Sequence, residues 1–247
     1  MSKTIIIALL ATLVATGTLF AFQLNSTSNN LQKNTKVTGG AGVQGSYTYF
    51  AFEREWPGTV CKVNKCTPQD MGNFDSKNFN LHGLWPSGLE SNQCSYPQDC
   101  GNTHFSFSNI SQPTKTYMNS YWVGLYSSTQ TFLDHEWTKH GTCYGNDQNQ
   151  YFTAATDLHK KYNPISALAA KNIVPSNSQS YTVQQVQSAL ESGFGGPVFL
   201  QCKKVNGQQM LFAVDMYFNK ALTGIISQPC TKQSSCSTSQ PIYLPTV

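Results

Sequence analysis

The chain has 247 residues, of which 39% are hydrophobic, enough to bury one substantial core as a single domain. Its formal charge of +4 falls to +3 without Lys3, which excludes strong nonspecific attraction to nucleic acid but leaves local binding of a polyanion open. Eight cysteines, at positions 61, 66, 94, 100, 143, 202, 230 and 236, fit an exported protein, since paired thiols persist in oxidising compartments.

Residues 1–21 carry one charge, Lys3, then an apolar run from Ile5 to Val14 and the small residues Ala15, Gly17 and Ala21. This is the layout of a secretory signal peptide, with an uncleaved membrane anchor as the competing reading. Residues 22–45 are rich in Asn, Ser, Thr and Gly and read as a flexible polar leader, so that the domain proper is expected over 46–247. Asn25 and Asn109 open glycosylation sequons, the first close to the expected cleavage point. No carboxy-terminal retention signal is present. The destination is therefore the secretory route, ending outside the cell or in a lysosome or vacuole.

Tyr47, Tyr49 and Ala51 alternate as in a strand that Trp56-Pro57-Gly58 breaks, and Cys61 with Cys66 is placed to close a small loop. Asn78–Trp85 reads as a second strand, with Phe79 and Leu81 on one face, His82 on the other, and Trp85-Pro86 just past its end. Gly83 permits close approach of a ligand or backbone. Cys94–Gly101 is a cysteine-bearing loop. Tyr121, Trp122, Leu125 and Tyr126 fall at helical spacing and are expected in the core. Tyr151, Phe152, Ala155, Leu158 and Tyr162 mark an amphipathic helix, a short one follows Pro164, and Thr182 caps another through Glu191. Pro197–Val205 and Gln208–Phe218 are strands joined by Asn206-Gly207, the strongest short hairpin signal. Helices in the middle with strands at both ends predict an α+β domain: an antiparallel sheet core with helices packed around it, braced by disulfides.

The most informative stretch is Leu133–Tyr144, L-D-H-E-W-T-K-H-G-T-C-Y. At α-helical geometry His135, Glu136, Lys139 and His140 fall near about 0°, 100°, 40° and 140°, so four ionisable groups share one face while Trp137 points away to the core. Gly141 is expected to close the helix, and Cys143 can tie its end to another segment. A zinc protease signature needs H-E-x-x-H; here the spacing is H-E-x-x-x-H, and the two imidazoles are expected to diverge by about 140°. The metal reading is therefore disfavoured, and the bland alternative is a solvated helix face.

A lone histidine on a strand is usually structural. Taken together, however, Leu81-His82-Gly83-Leu84-Trp85-Pro86 and the later H-E-W-T-K-H-G-T-C segment closely resemble the two active-site segments of the ribonuclease T2 family, the secreted or lysosomal acid endoribonucleases. The resemblance extends more weakly from about Tyr47 onward, through W-P-G-x-x-C at Trp56–Cys61, the cysteine-rich loop and the late strand pair with Cys202. It implies metal-independent, cofactor-free cleavage of single-stranded RNA by a monomer. The ribose 2'-hydroxyl attacks the adjacent phosphorus and leaves a 2',3'-cyclic phosphate that hydrolyses to a 3'-phosphate. DNA lacks that nucleophile and is expected to be untouched, and no stable membrane association is expected after signal removal.

By the same resemblance His140 is the general base, His82 the general acid, Glu136 and Lys139 stabilise the transition state, and His135 contacts phosphate. The residue chemistry agrees, since the reaction needs a base, an acid and positive charge beside the phosphorane. With ordinary imidazole pKa values of about 6.5, one protonated and one neutral histidine coexist best in mildly acidic to neutral solution. Glu136 is expected to hold a proton or to position His140. Trp85 offers a stacking face for a base, with core packing as the alternative. His104 and His159 are read as structural. The family pattern further pairs Cys61 with Cys66, Cys143 with Cys100 or Cys94, and Cys202 with Cys236 or Cys230. Two positions depart from it: Ser87 stands where many relatives carry a base-reading Asp, and Glu55 where relatives carry Gln. Broad base tolerance is the resulting expectation. A secreted recognition or signalling protein on the same scaffold, with no use for cleavage, is the second reading.

Overall fold

A computed structural model describes residues 47–67, 71–90, 93–227, 229 and 234–247. The expected signal, the leader, Asn25 and Cys230 lie outside the described residues.

The sheet is built on a long strand near the end of the chain. The strands are β1 (Tyr49–Glu55), β2 (Asn80–Glu90), β3 (Gln93–Ser95), β4 (Ser180–Tyr181), β5 (Phe199–Val205), β6 (Gln208–Asn219), β7 (Ile225–Ile226) and β8 (Ile242–Tyr243). Their order is β3-β2-β1-β6-β8-β4, with β5 and β7 also paired to β6. Most pairings are antiparallel; β8 runs parallel to β6, with Gln209 opposite Ile242. The hairpin between β5 and β6 turns at Asn206 (φ 49°) and Gly207 (φ 82°), the left-handed pair that a two-residue turn requires.

The helices are α1 (Pro57–Val63), α2 (Gln112–Tyr121), α3 (Thr129–Glu136), α4 (Gln148–Lys161), α5 (Pro164–Ala169) and α6 (Val183–Phe194). The α+β expectation holds. Alternate residues of β1 explain why: Phe50 and Phe52 are buried with Trp122, Trp137, Tyr151 and Phe152 in the main core. Arg54, the third residue on that face, is fully buried, its Nη1 donating to the Tyr162 carbonyl at 2.6 Å and its guanidinium stacked over Phe52 and Phe194. Thr182 caps α6 reciprocally with Gln185, as a capping box does.

Two local expectations are corrected. Trp85 is inside β2 rather than beyond its end, because the strand continues to Glu90 against β1 and β3. The helix before the central stretch stops at Tyr121, where Trp122 turns inward to the core. Tyr126 is consequently exposed, not buried.

Disulfides whose two cysteines are both described join Cys61 to Cys66, Cys100 to Cys143 and Cys202 to Cys236. Cys94 is also disulfide-bonded. The early Trp-Pro-Gly has a second task besides starting α1. Trp56 Nε1 donates to the Pro245 carbonyl at 2.7 Å, and a Cβ on Gly58 would collide with that same carbonyl. Among the described residues no helix is long and apolar enough to cross a membrane.

Candidate active site

His82 owes its position to a break in the ladder. Glu53 pairs with Gly83 and Arg54 with Leu81, so His82 is the extra residue of a β-bulge, a device that re-aims one side chain. The bulge also explains how Leu81 and Leu84, three apart, are both buried in the core. The Trp122 indole donates to the bulged carbonyl of His82 at 2.9 Å. The ring then projects over the other face of the sheet, where Glu53, Glu55 and Trp85 stand. Nδ1 lies 2.8 Å from Glu53 Oε1 and 3.2 Å from Glu55 Oε1, and Nε2 lies 3.6 Å from Glu136 Oε1. Burial works against a charge on this imidazole. Glu55, Glu53 and Glu136 outweigh it and hold His82 well above the ordinary histidine range.

The facing wall begins in α3 and departs from α-helical geometry where the chemistry sits. Ser128 caps α3, and from Trp137 to Gly141 the backbone widens into a π-turn before Thr142–Tyr144 returns to α geometry. In a π-turn each bond spans five residues, so His135 and His140, five apart, come onto one face with ring centroids 6.4 Å apart. The expected divergence of the two imidazoles is thereby overturned. One ring nitrogen or carboxylate oxygen from each of His135, Glu136 and His140 lies within 4.8 Å of the others. Chain spacing therefore no longer argues against a shared metal ion, and chelation becomes the deciding experiment. Gly141 does not close the helix either. It lies within the helical run, is glycine because a Cβ there would strike the Trp137 ring, and the run ends instead at Gly145. The widened turn is stitched down by the neighbouring loop: Asp99 N donates to the Lys139 carbonyl at 3.0 Å, Cys100 N to Thr142 Oγ1 at 3.1 Å, and Cys100 bonds Cys143. Of the two partners left open for Cys143, Cys100 is the one used.

His140 is buried between Trp85 and Tyr96, with centroids at 5.2 and 5.8 Å. Burial first, then Lys139, His135 and His82, push its pKa down to about 3, so the ring is neutral. Among the described residues no hydrogen-bond partner reaches its Nδ1. His135 is lowered as well, by burial and Lys139. Glu136 is fully buried, which pushes its carboxyl up to about 7 against the pull of His82 and the Trp85 indole. Its Oε2 accepts from Trp85 Nε1 at 2.8 Å. Glu136 therefore reaches the sheet-side His82 and Trp85, rather than orienting His140. Gly83 is required beneath this bond, since a Cβ there would overlap both Trp85 Nε1 and Glu136 Oε2.

His82, Trp85, His135, Glu136, Lys139 and His140 all line one cavity of about 430 Å³. The six residues singled out from sequence thus converge. Sequence reading missed Glu53, Tyr96 and Asp215, which line the same cavity. The signal for Glu53 was the alternation of β1, which puts it on the face of Glu55 and opposite Phe52. Lys139 Nζ sits 5.7 Å above the Tyr96 ring. His159, hydrogen-bonded to Tyr117 Oη and the Phe79 carbonyl, and His104, beside Asp134, lie outside the cavity, in keeping with structural roles. A larger groove of about 670 Å³ beside α6 is lined by amides, hydroxyls and Lys171 and carries neither histidine nor carboxylate.

Fold and site together define the class: a disulfide-braced α+β enzyme with a histidine-rich cleft. A sequence profile of the ribonuclease T2 family matches residues 47–236. Ribonuclease DdI of Dictyostelium discoideum is 31% identical over 78% of this chain and 83% of its own length. Ribonuclease Oy of Magallana gigas is 29% identical over 81% and 97%. The crystal structure of RNase NT in complex with 5'-AMP superposes with a TM-score of 0.72 at 29% identity, covering 82% of this chain and all of that one. The chain belongs to the ribonuclease T2 family and is an endoribonuclease of the T2 type.

Proposed function

We propose that residues 46–247 form a catalytic domain that cleaves single-stranded RNA by metal-independent transphosphorylation, with broad base tolerance. The observation that carries the reading is a single cavity holding one imidazole biased toward the cation and one biased toward the neutral base. His140 removes the proton of the ribose 2'-hydroxyl, and the oxygen attacks the adjacent phosphorus. His82 gives its Nε2 proton to the departing 5'-oxygen, leaving a 2',3'-cyclic phosphate. In the slower second step the roles exchange, water replaces the 5'-oxygen, and a 3'-phosphate results. Lys139 sets a compact cation beside the phosphorane, His135 contacts phosphate at the cavity edge, and Glu136 keeps His82 facing the reaction. Half-buried Trp85 and exposed Tyr96 offer aromatic faces for a base, the usual way single strands are held.

The chain works as a monomer without cofactor, is carried into the secretory route by residues 1–21, and reaches the medium or a lysosome-like vacuole. Asn109 is exposed at the end of a 3₁₀ turn, a position open to glycosylation. The purified protein is incubated with RNA and with DNA in excess EDTA at about pH 5 to 6, where an ordinary imidazole is partly protonated. RNA is expected to yield 2',3'-cyclic phosphate ends, His140→Ala to abolish them, and DNA to stay intact. Loss of activity on chelation, or efficient cutting of DNA, overturns the mechanism.

A further inference from the structure

We infer that Glu53 and Glu55 act as a carboxylate clamp that positions His82, an assignment that rests on His82 being the proton donor proposed above. The two glutamates are alternate residues of β1 and therefore share the cavity face of the sheet, while the bulge lifts His82 out of register to stand over both. Both are buried, and both oxygens meet the same ring atom, Nδ1, at 2.8 and 3.2 Å. A ring nitrogen has one hydrogen to give, and here two carboxylate groups stand within reach of it.

Glu53 is itself held. Gln201 Nε2 donates to its Oε2 at 2.7 Å and to both oxygens of Asp215 at 2.9 and 2.8 Å, so β5 and β6 fix the carboxylate that fixes the ring. Nδ1 keeps its hydrogen, and the exchangeable proton is confined to Nε2, the atom nearest Glu136 and the cavity. Once Nε2 has given up its proton, the ring is left as the Nδ1–H tautomer, the form that can take a proton back at Nε2 in the second step.

The titratable groups facing His82 come from every packed element: Glu53 and Glu55 from β1, Glu136 from α3, Asp215 from β6 through Gln201, and, across the cavity, His135, Lys139 and the neutral ring of His140. Carboxylates this close to an imidazole raise its pKa, whereas burial lowers it. The carboxylates prevail, so the clamp sets both the tautomer and the upper pH limit of catalysis.

The test follows the Nδ1 and Nε2 resonances of His82 in the full chain labelled with [15N]histidine, together with the pH profile of kcat/KM on a dinucleoside monophosphate. In the unaltered protein His82 is expected to stay doubly protonated beyond the ordinary histidine range and then to give the Nδ1–H tautomer. In E53Q/E55Q the midpoint is expected to fall by about one pH unit or more, the scale of a lost neighbouring charge. The alkaline limb of the rate profile is expected to fall by the same amount, with each single variant between. An unaltered protein whose His82 titrates at the ordinary histidine value, or loses its proton from Nδ1, overturns the clamp without any variant having to fold. So does a double variant with unchanged midpoint and native circular dichroism. If the ring midpoint moves while the rate limb stays, the clamp stands and the assignment of His82 as the acid fails.

Discussion

His82 stands on a sheet among carboxylates, whereas His140 stands on a helical wall among cations and aromatic rings. Both imidazoles are largely shielded from water, and burial alone would push both toward the neutral form. Neighbours decide the difference: three acids reverse the effect of burial on His82, while Lys139 and His135 deepen it on His140. Two chemically identical side chains are thus driven apart by the secondary structure that carries them. A strand with a bulge gathers acids from its neighbour in alternation, and a π-turn stacks bases from its own sequence.

The most damaging way to break this comparison is to remove either ring. His140→Ala and His82→Ala are each expected to lower kcat on RNA by about 10³-fold, within the range for losing a general acid or base. A variant retaining more than a tenth of the rate would show that the two walls are not the two halves of one mechanism.

Cutting the brace that holds the walls together comes next. The double variant Cys100→Ser/Cys143→Ser releases the loop stitched to the π-turn and is expected to lose about 2 to 4 kcal/mol, read in a urea denaturation curve. Activity is expected to fall more steeply with added urea than in the unaltered protein, because the wall carrying His140 loosens first.

Gly83→Ala presses on the point where the walls touch. The added methyl overlaps Trp85 Nε1 and Glu136 Oε2, and overpacking of this kind costs about 1 to 3 kcal/mol, measurable by the same denaturation.

The mildest change sharpens the contrast instead of breaking it. An imidazole lowered to about 3 is protonated only as pH falls through that value, so the acid limb should lie near pH 3, below that of an ordinary histidine. An imidazole held above its ordinary value loses its proton only beyond that value as pH rises, so the alkaline limb should lie above about 6.5. The active window is therefore wider than two ordinary histidines allow. Lys139→Gln removes a charge that lowers His140 and should move the acid limb upward while leaving the alkaline limb in place. An alkaline limb that moves as far as the acid one would mean that Lys139 acts on His82 as strongly as on its own wall.

Much of the fold was legible from the chain because its signals are local: Thr182 at a cap, Asn206-Gly207 in a hairpin, and the alternation of Tyr47, Tyr49 and Ala51 in the first strand. The six site residues were legible because their types cluster in two short blocks. What stayed hidden depends on tertiary contact. The π-turn is held by Asp99 and Cys100 from a distant loop, and propensity over Trp137–Gly141 gives no hint of it. The bulge at His82 arises from pairing with β1, which periodicity in β2 alone does not report. Glu53 looked like an ordinary strand residue until that pairing set it against the ring.

The bond from Trp56 to the Pro245 carbonyl bears on how such a chain survives among peptidases. Exopeptidases need a loose end to thread into their own cleft, and protein termini that are tied down resist such trimming. Here β8 and the segment after it are clasped by the first helix's entry and by a parallel seam with β6, so trimming that reaches this segment should stall there unless the sheet itself comes apart. Resistance to carboxypeptidase becomes a gauge of whole-domain integrity, readable by mass spectrometry without any substrate.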